Sequence, residues 1–238
     1  VATKSGKRAI KATEPIQRGC GQKAGPESVV HLAHLHVKNG GALATMDVVN
    51  AFNELHRQDM LDTAHEQWPE ATNMLNKLYG VDAPVIYVYK GTADETIVSV
   101  MVSAEGSRMG CVFGSMGFNI TVGTRYTILA REYEAFILRA MTDDLPALIP
   151  KRNSDEEWFK EYEVYVKFLL RWDSLMNPIG LRRHIGKGEI YLPPDAPDPP
   201  DGSPLHHLTK IKRDGVTLGG AFIGRPEAVA NAAMEKVK

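Results

Sequence analysis

Cysteine is scarce in this chain of 238 residues: Cys20 and Cys111 are the only two, and they form no CxxC motif. That excludes a disulfide framework. It suits a reducing, intracellular compartment without distinguishing nucleus, cytoplasm or organelle. Long apolar runs are missing too. None approaches the roughly 18–20 residues needed to cross a bilayer, and the opening VATKSGKRAIK has no apolar signal core, so no membrane partner is expected. No internal repeat is visible, and no excess of one charge: the net charge is −1. What is present is a hydrophobic content of 43%, enough for a buried core in one compact domain or two unequal lobes.

The near-zero net charge hides an uneven distribution. In residues 1–40, seven basic residues (Lys4, Lys7, Arg8, Lys11, Arg18, Lys23, Lys38) face two acids (Glu14, Glu27), a balance of +5 that leaves −6 on the other 198. A basic segment on an acidic chain suits an anionic ligand held near an acidic metal site. It is equally the composition of a solvated, partly disordered terminus.

The patterning predicts an α+β fold. An apolar run from Ala42 to Val49 reads as a strand, and Asn50 as the cap of a helix carrying Phe52, Leu55, Leu61 and Ala64. A second helix should begin at Pro69 and stop at Gly80. Residues 84–102 alternate β-formers around a polar centre, as a hairpin does. A further helix is expected up to about Tyr133. AFILRAMT and LPALIP closely flank Asp143 and Asp144, which places both acids at the tip of a tight hairpin, with Pro146 demoting the second strand to an edge. DEEWFKEYEVYVKFLLRWDSLM is strongly amphipathic and opens on acids that suit a helix N-terminus. A Pro-rich loop at 193–204 separates a strand near GEIYL from a last strand pair around GVTLGGAFIG and a final helix. The mixture favours an antiparallel sheet covered on one side by helices.

Asp47, at the end of the first strand, and the pair Asp143–Asp144 bring three carboxylates from two elements into possible proximity. Mutual repulsion would need relief. Mg²⁺ prefers oxygen ligands, is commonly held by one or two carboxylates plus substrate phosphates, and in pairs clamps both oxygens of an in-line phosphoryl displacement. A tandem Asp in a turn also has an ordinary explanation, since Asp bonds its own backbone there.

The order of segments resembles the reverse transcriptase family, most closely the sequences of eukaryotic retroelements without long terminal repeats. RAI at Arg8 resembles the family's fingers segment, TMDVVNAFN its motif A, EGSRMGCVFGS its Gly-rich motif B and MTDD its motif C. GLRRHIGKGEI is similar to motif D, and VTLGGAFIG to the motif E primer grip. The resemblance implies a right-hand polymerase palm at 41–238 with a partial fingers segment at 1–40. Its implied activity is RNA-directed DNA synthesis with two Mg²⁺, and its implied partners are an RNA template, a DNA primer, a deoxynucleoside triphosphate and other domains or subunits of a larger assembly.

By the same resemblance Asp47, Asp143 and Asp144 form the metal-binding, catalytic cluster, and Lys187 serves the leaving pyrophosphate. Arg8 reaches the triphosphate. Phe52 is a steric gate against a ribose 2′-hydroxyl, where the residue pattern alone also allows a core position. Gly106, Met109 and Gly110 face the substrates. Leu218, Gly219 and Gly220 form the primer grip. Motif B departs from the family: Met109, Gly110, Cys111 and Val112 stand where a Gln-Gly-Asp-Pro sequence is usual, and Met141 replaces the aromatic residue before the acids. The alternative expectation is therefore a domesticated, inactive domain acting as a scaffold or RNA-binding part of an assembly. Elsewhere, His31, His34 and His36 lack companions at metal-ligand spacing and read as surface or interface residues. GCGQKAG lacks the ending of a phosphate loop and reads as a turn.

Overall fold

The computed structural model describes residues 2–91, 96–108 and 110–235. In chain order, α1 (Ala2–Thr13) and α2 (Gly25–Lys38) lead into β1 (Ala42–Thr45), followed by α3 (Ala51–Glu54), α4 (Arg57–Gln67) and α5 (Pro69–Tyr79). A ribbon of β2 (Ala83–Lys90) and β3 (Thr96–Ser103) precedes the long helix α6 (Val112–Glu132), β4 (Ile137–Leu138), β5 (Ala147–Ile149) and α7 (Asp155–Met176). After a 3₁₀ turn at Asn177–Ile179 come β6 (Glu189–Tyr191), α8 (Leu205–Leu208), β7 (Lys210–Lys212), the hairpin β8 (Gly215–Leu218) and β9 (Ala221–Gly224), and α9 (Pro226–Glu235).

The central sheet runs β4-β5-β1-β6-β7. β1 is antiparallel to both β5 and β6, with Leu43 opposite Leu148 on one side and Tyr191 on the other. Strand alternation then divides the core. Ala42, Ala44, Ala147, Ile149 and Ile190 join one cluster with the helices α6 and α7, while Leu43, Leu148 and Tyr191 join a second cluster with α2 and the β8–β9 hairpin. Both faces are thus covered, where the sequence pattern suggested one. The second cover comes from residues 25–38, whose Val29, Ala33 and Val37 are buried. The basic N-terminal segment is folded, not a solvated tail: α1 lies against α6 so closely that a Cβ on Gly123 would stand 2.7 Å from Thr13 Cγ2.

Three further expectations are corrected. β5 is an interior strand and β4 is an edge; Pro146 stands just ahead of β5, so its missing N–H removes no bond from the ladder. The sheet is not wholly antiparallel, because β6 and β7 pair in parallel. Parallel neighbours need a long crossover, and the Pro-rich loop with α8 supplies it. Arg213 pins that loop through the carbonyls of Pro193 and Ala196, both at 2.9 Å. Finally, β1 stops at Thr45, and the helix expected from Asn50 onward is broken at Leu55 and His56 into α3 and α4. The backbone groups freed at the break are taken by remote segments: the Gly106 amide donates to Leu55 O and the His56 amide to Ile179 O. Asn50 precedes α3 with a left-handed φ of 43° and no side-chain capping bond.

Other expectations match closely. α5 begins at Pro69 and ends before Gly80, and the ribbon pairs Pro84 with Val102 as its alternation requires, its connecting residues 92–95 lying outside the described ones. α7 is capped by Ser154, whose hydroxyl accepts from the Glu157 amide, and it buries Trp158, Tyr162, Tyr165, Phe168, Leu169, Trp172 and Met176 at helical spacing. Full burial of one such side chain contributes roughly 1.5–3 kcal/mol. The helix therefore holds by its packed face. Among the described residues no helix is long and apolar enough to cross a membrane.

Candidate active site

The two tandem acids stand on a tight turn. The Met141 amide donates to Asp144 O at 2.8 Å and the Asp144 amide to Met141 O at 3.1 Å, so Thr142 and Asp143 are the two central residues. Thr142 has φ 62°, a left-handed conformation that disfavours a β-branched residue. Both carboxylates are half-buried. Burial raises the Asp143 pKa, against a bond to its own backbone, and the neighbouring Asp47 raises it further. Asp144 is pushed up to about 6, first by burial and then by the charges of Asp143 and Asp47.

Asp47 lies across from the turn, just past the end of β1, where its carbonyl accepts the His184 amide at 2.8 Å. Two clefts open beside it. One, of 530 Å³, is lined by Asp47, Val48, Val49, Asn50, Ala51, Phe52, Asn53, Asp143, His184 and Lys187. The other, of 340 Å³, is lined by Thr45, Met46, Asp47, Asp144, Gly186, Lys187, Glu189, Lys210 and Thr217. Asp47 and Lys187 border both, while Asp143 faces the first and Asp144 the second. The Lys187 ammonium stands 3.4 Å from Asp47 Oδ2 and is well exposed. Among the described residues no three His, Cys, Asp or Glu side chains stand close enough to hold a metal ion as a group. The acids form an open, oxygen-only set, not a closed cage.

Phe52 serves the core and the cleft at once. Its ring stacks on Phe118 with centroids 4.4 Å apart while the same side chain lines the larger cleft. The loop before α6 is stitched to it: the Ser107 amide donates to Phe52 O at 2.6 Å. At Gly106, φ is 74° and a Cβ would meet the Asn53 Cα at 2.5 Å, so close approach requires glycine there. Gly110 is exposed, with open space around it, and Met109 lies outside the described residues. α6 begins at Val112, inside the Gly-rich stretch. Burial raises the Cys111 thiol, but the Tyr79 hydroxyl and the first amides of α6 outweigh it and leave the thiol below its ordinary value.

Other expected residues fall elsewhere. Arg8 pairs with Glu70 at 3.5 Å on the surface, and no described contact joins it to the acids. Leu218 is buried in the second core cluster, and Gly219 and Gly220, both at positive φ, form the turn between β8 and β9. A Cβ on Gly219 would lie 3.4 Å from the Met141 side chain, so this turn abuts the acid turn. His36 bonds the Ile149 carbonyl at 2.7 Å, a structural role.

Three residues escaped the sequence reading. His184 lines the larger cleft, and its place within GLRRHIGKGEI was a usable signal. Arg57 is 5% exposed and its guanidinium binds Gly106 O, Ser103 O, Ser103 Oγ and Glu105 O, tying the ribbon and the Gly-rich loop to α4. Gln17 is 1% exposed and bonds Thr142 directly. An Arg at a helix start and a Gln in a basic segment give no local sign of burial.

No protein-family model and no curated protein matches the chain. Solved structures do. The fold is similar to apo telomerase from Candida tropicalis truncated from its C-terminal domain, with a TM-score of 0.57 and 9% identity, covering 92% of this chain and 42% of that one. It is similar as well to telomerase from Candida albicans in complex with a TWJ fragment of telomeric RNA, with a TM-score of 0.53 and 8% identity over 95% of this chain and 36% of the other. Apo telomerase from Candida tropicalis gives a TM-score of 0.52 and 8% identity, covering 77% and 35%. At such identities the likeness is one of fold, and this chain spans about two fifths or less of the chains it matches.

Proposed function

We propose that this chain is the palm and part of the fingers of a reverse-transcriptase-type nucleotidyltransferase, one that extends a DNA primer along an RNA template with deoxynucleoside triphosphates. The observation that carries this reading is the division of three carboxylates between two adjoining clefts, with Asp47 shared. A reaction that joins two substrates needs two seats meeting at one charged wall. The larger cleft, floored by Phe52, suits the incoming nucleotide. The smaller, bordered by Thr217 of the β8–β9 hairpin, suits the primer terminus. The shared fold with telomerase, a reverse-transcriptase-type enzyme, supports the reading, as does the order of motifs resembling retroelement sequences without long terminal repeats.

The three carboxylates offer Mg²⁺ oxygen donors only, and burial and the Asp47 charge raise the pKa of both Asp143 and Asp144; because the three do not close into a group that holds a metal by itself, substrate oxygens and water would have to complete the coordination shell. When bound there by Asp47, Asp143 and Asp144, a pair of Mg²⁺ ions would supply charge stabilisation for the attacking and leaving oxygens. The chain's own residues do the rest. Phe52, backed by Phe118, presents a fixed edge where a ribose 2′-hydroxyl would clash. Lys187, free to leave Asp47 because it is mostly exposed, offers a proton or a positive charge to the departing pyrophosphate. The test is addition of one nucleotide to an RNA-templated DNA primer by the whole chain, with and without Mg²⁺. Mg²⁺-dependent addition is expected. No addition with either Mg²⁺ or Mn²⁺ would sink the polymerase reading and leave the scaffold.

A further inference from the structure

The segment Ile16–Gly19 lies against the acid turn. Gln17 bridges Ala140 in parallel, the Arg18 amide donates to Ala140 O at 2.7 Å, and the Ala140 amide donates to Ile16 O at 2.8 Å. At Gly19 a Cβ would stand 2.5 Å from the Thr142 nitrogen, so the two backbones are in contact. Between them the Gln17 carboxamide is buried and engaged on both ends. Its Oε1 accepts from the Thr142 amide at 2.8 Å and from the Gly19 amide at 2.9 Å, and its Nε2 donates to Thr142 O at 3.0 Å. The orientation is fixed by these partners, because a flipped carboxamide would set its NH₂ against two N–H donors.

Resting on the polymerase reading of the acids, we propose that Gln17 is a positioning residue that holds Thr142 in its left-handed conformation and so directs Asp143 and Asp144 into separate clefts. Thr142 is β-branched, and a β-branched residue keeps φ near 62° only where its surroundings impose it. Gln17 grips both the N–H and the C=O of that residue, immediately before Asp143. Without the grip Thr142 relaxes toward negative φ and the carboxylate behind it moves. A displacement of about 1 Å at a reacting centre costs on the order of 100-fold in rate.

The experiment uses the full chain with Gln17→Met, Thr142→Gly and the two combined. Gln17→Met keeps the volume and removes all three bonds. It should lower kcat for single-nucleotide addition roughly 100-fold while the nucleotide KM changes by less than about 3-fold. Glycine adopts positive φ freely, so Thr142→Gly alone should be close to unchanged and, added to Gln17→Met, should recover at least about 10-fold. A merely structural Gln17 would lose kcat and melting temperature together, with no recovery from glycine at 142, and that result overturns the proposal. A second readout stands apart from activity. Exchange of the Thr142 and Gly19 amides should accelerate about 100-fold in Gln17→Met while the Met141 amide, bonded to Asp144, keeps most of its protection. If the unmodified chain adds no nucleotide, the polymerase reading fails, yet unchanged Thr142 exchange would still overturn the clamp and accelerated exchange would still support it. Where Gln17→Met is too unstable to assay, Gln17→Glu takes its place: it keeps an oxygen for both amides and loses the donor to Thr142 O. A smaller loss of kcat, about 10-fold and recovered by glycine at 142, supports the clamp; no loss overturns it.

Discussion

The ribbon β2–β3 and the turn at Met141–Asp144 are both hairpins, and they are held in opposite ways. The ribbon is long and regular, pairing eight residues with eight from Ala83↔Ser103 to Lys90↔Thr96. One face of it is mostly aliphatic, interrupted by Lys90 and Thr96 at its far end, and Ile86, Val88, Val98, Val100 and Val102 on that face are each 58–67% exposed. Its shape comes from its own alternation, and Arg57 fastens it only at its root. The acid turn is short and irregular, flanked by a two-residue β4 and a three-residue β5, and beyond the two backbone bonds that close it the restraints arrive from elsewhere: Gln17 from the N-terminal segment, Tyr126 from α6 through a 3.3 Å bond to Asp143 O, and Gly219 from the β8–β9 turn. Local regularity and long-range restraint have separated. Charged groups half-buried on a strained turn need external restraint, whereas the pairing of the ribbon follows from its own β-formers.

On the proposed reading the acid turn carries chemistry without carrying the fold. Asp143→Asn and Asp47→Asn each remove a ligand charge and leave the side-chain volume intact. Primer extension should fall on the order of 10²–10³-fold or more, with the circular dichroism spectrum and cooperative unfolding preserved. Activity within a few-fold of the unmodified chain in either variant would remove the acids from the mechanism.

What was legible in the sequence follows the same division. The ribbon, α5, α7 and the β8–β9 pair declared themselves because their residues repeat at the period of the element: Trp158, Tyr162, Tyr165, Leu169, Trp172 and Met176 for a helix, alternate valines for strands. The three acids stand out as a candidate site only through the order of the surrounding motifs, since a tandem Asp alone is ordinary turn chemistry. What could not be read was the long-range supply of partners. The break at Leu55 and His56 exists because Gly106 and Ile179, distant in sequence, take the freed backbone groups. β7 was missed because KIK is too short to show alternation, and the parallel crossover to it passes through a loop of prolines. The second cover of the sheet was missed because histidines and a basic flank disguised the apolar stripe Val29, Ala33, Val37.

Phe52 tests whether site and core can be separated at one side chain. Phe52→Ala should raise ribonucleotide incorporation relative to deoxynucleotide roughly 10- to 100-fold, because the discriminating clash leaves with the ring. It should also cost about 1–3 kcal/mol of stability, since the partly buried ring stacks on Phe118 against the core. Parallel incorporation kinetics and denaturant unfolding read the two effects. A stability loss with an unchanged sugar ratio would return Phe52 to the core alone.

Asp144 gives a smaller effect with a definite sign. Its pKa rises from 3.8 to about 6 on folding, so the folded chain holds this proton more tightly than the unfolded chain. The contribution to stability is therefore best below pH 4, declines as pH rises from about 4 to about 6, and stays lost above that. Asp144→Asn abolishes the penalty. Without divalent cations the variant should exceed the unmodified protein at pH 8 by about 1 kcal/mol, allowing for solvent screening of a half-exposed group, and should show no advantage at pH 4. Thermal unfolding at the two pH values checks it. An advantage that is equal at both would point to packing, not charge.

The ribbon should respond least of all to substitution. Val100 is 63% exposed, stands opposite Ile86 in the register, and has no described element packed over it. An exposed substitution away from caps and buried networks changes stability by less than about 0.5 kcal/mol, and Thr keeps the β-branching that suits a strand. Val100→Thr should therefore leave both the unfolding midpoint and nucleotide addition close to unchanged. A two-stranded ribbon with an uncovered aliphatic face is, however, only marginally stable in water by itself. If Val100→Thr instead costs more than about 1 kcal/mol, the face is covered in solution, because losing a methyl group from an exposed site cannot cost so much and losing it from a buried one does, with an unpaired hydroxyl added. Repeating the measurement over a hundredfold range of protein concentration then tells whether the cover is another copy of the chain. A cost that grows with concentration identifies self-association, and a constant one places the cover within the same molecule. Either outcome would show that the ribbon, like the acid turn, is shaped by partners from outside its own strands.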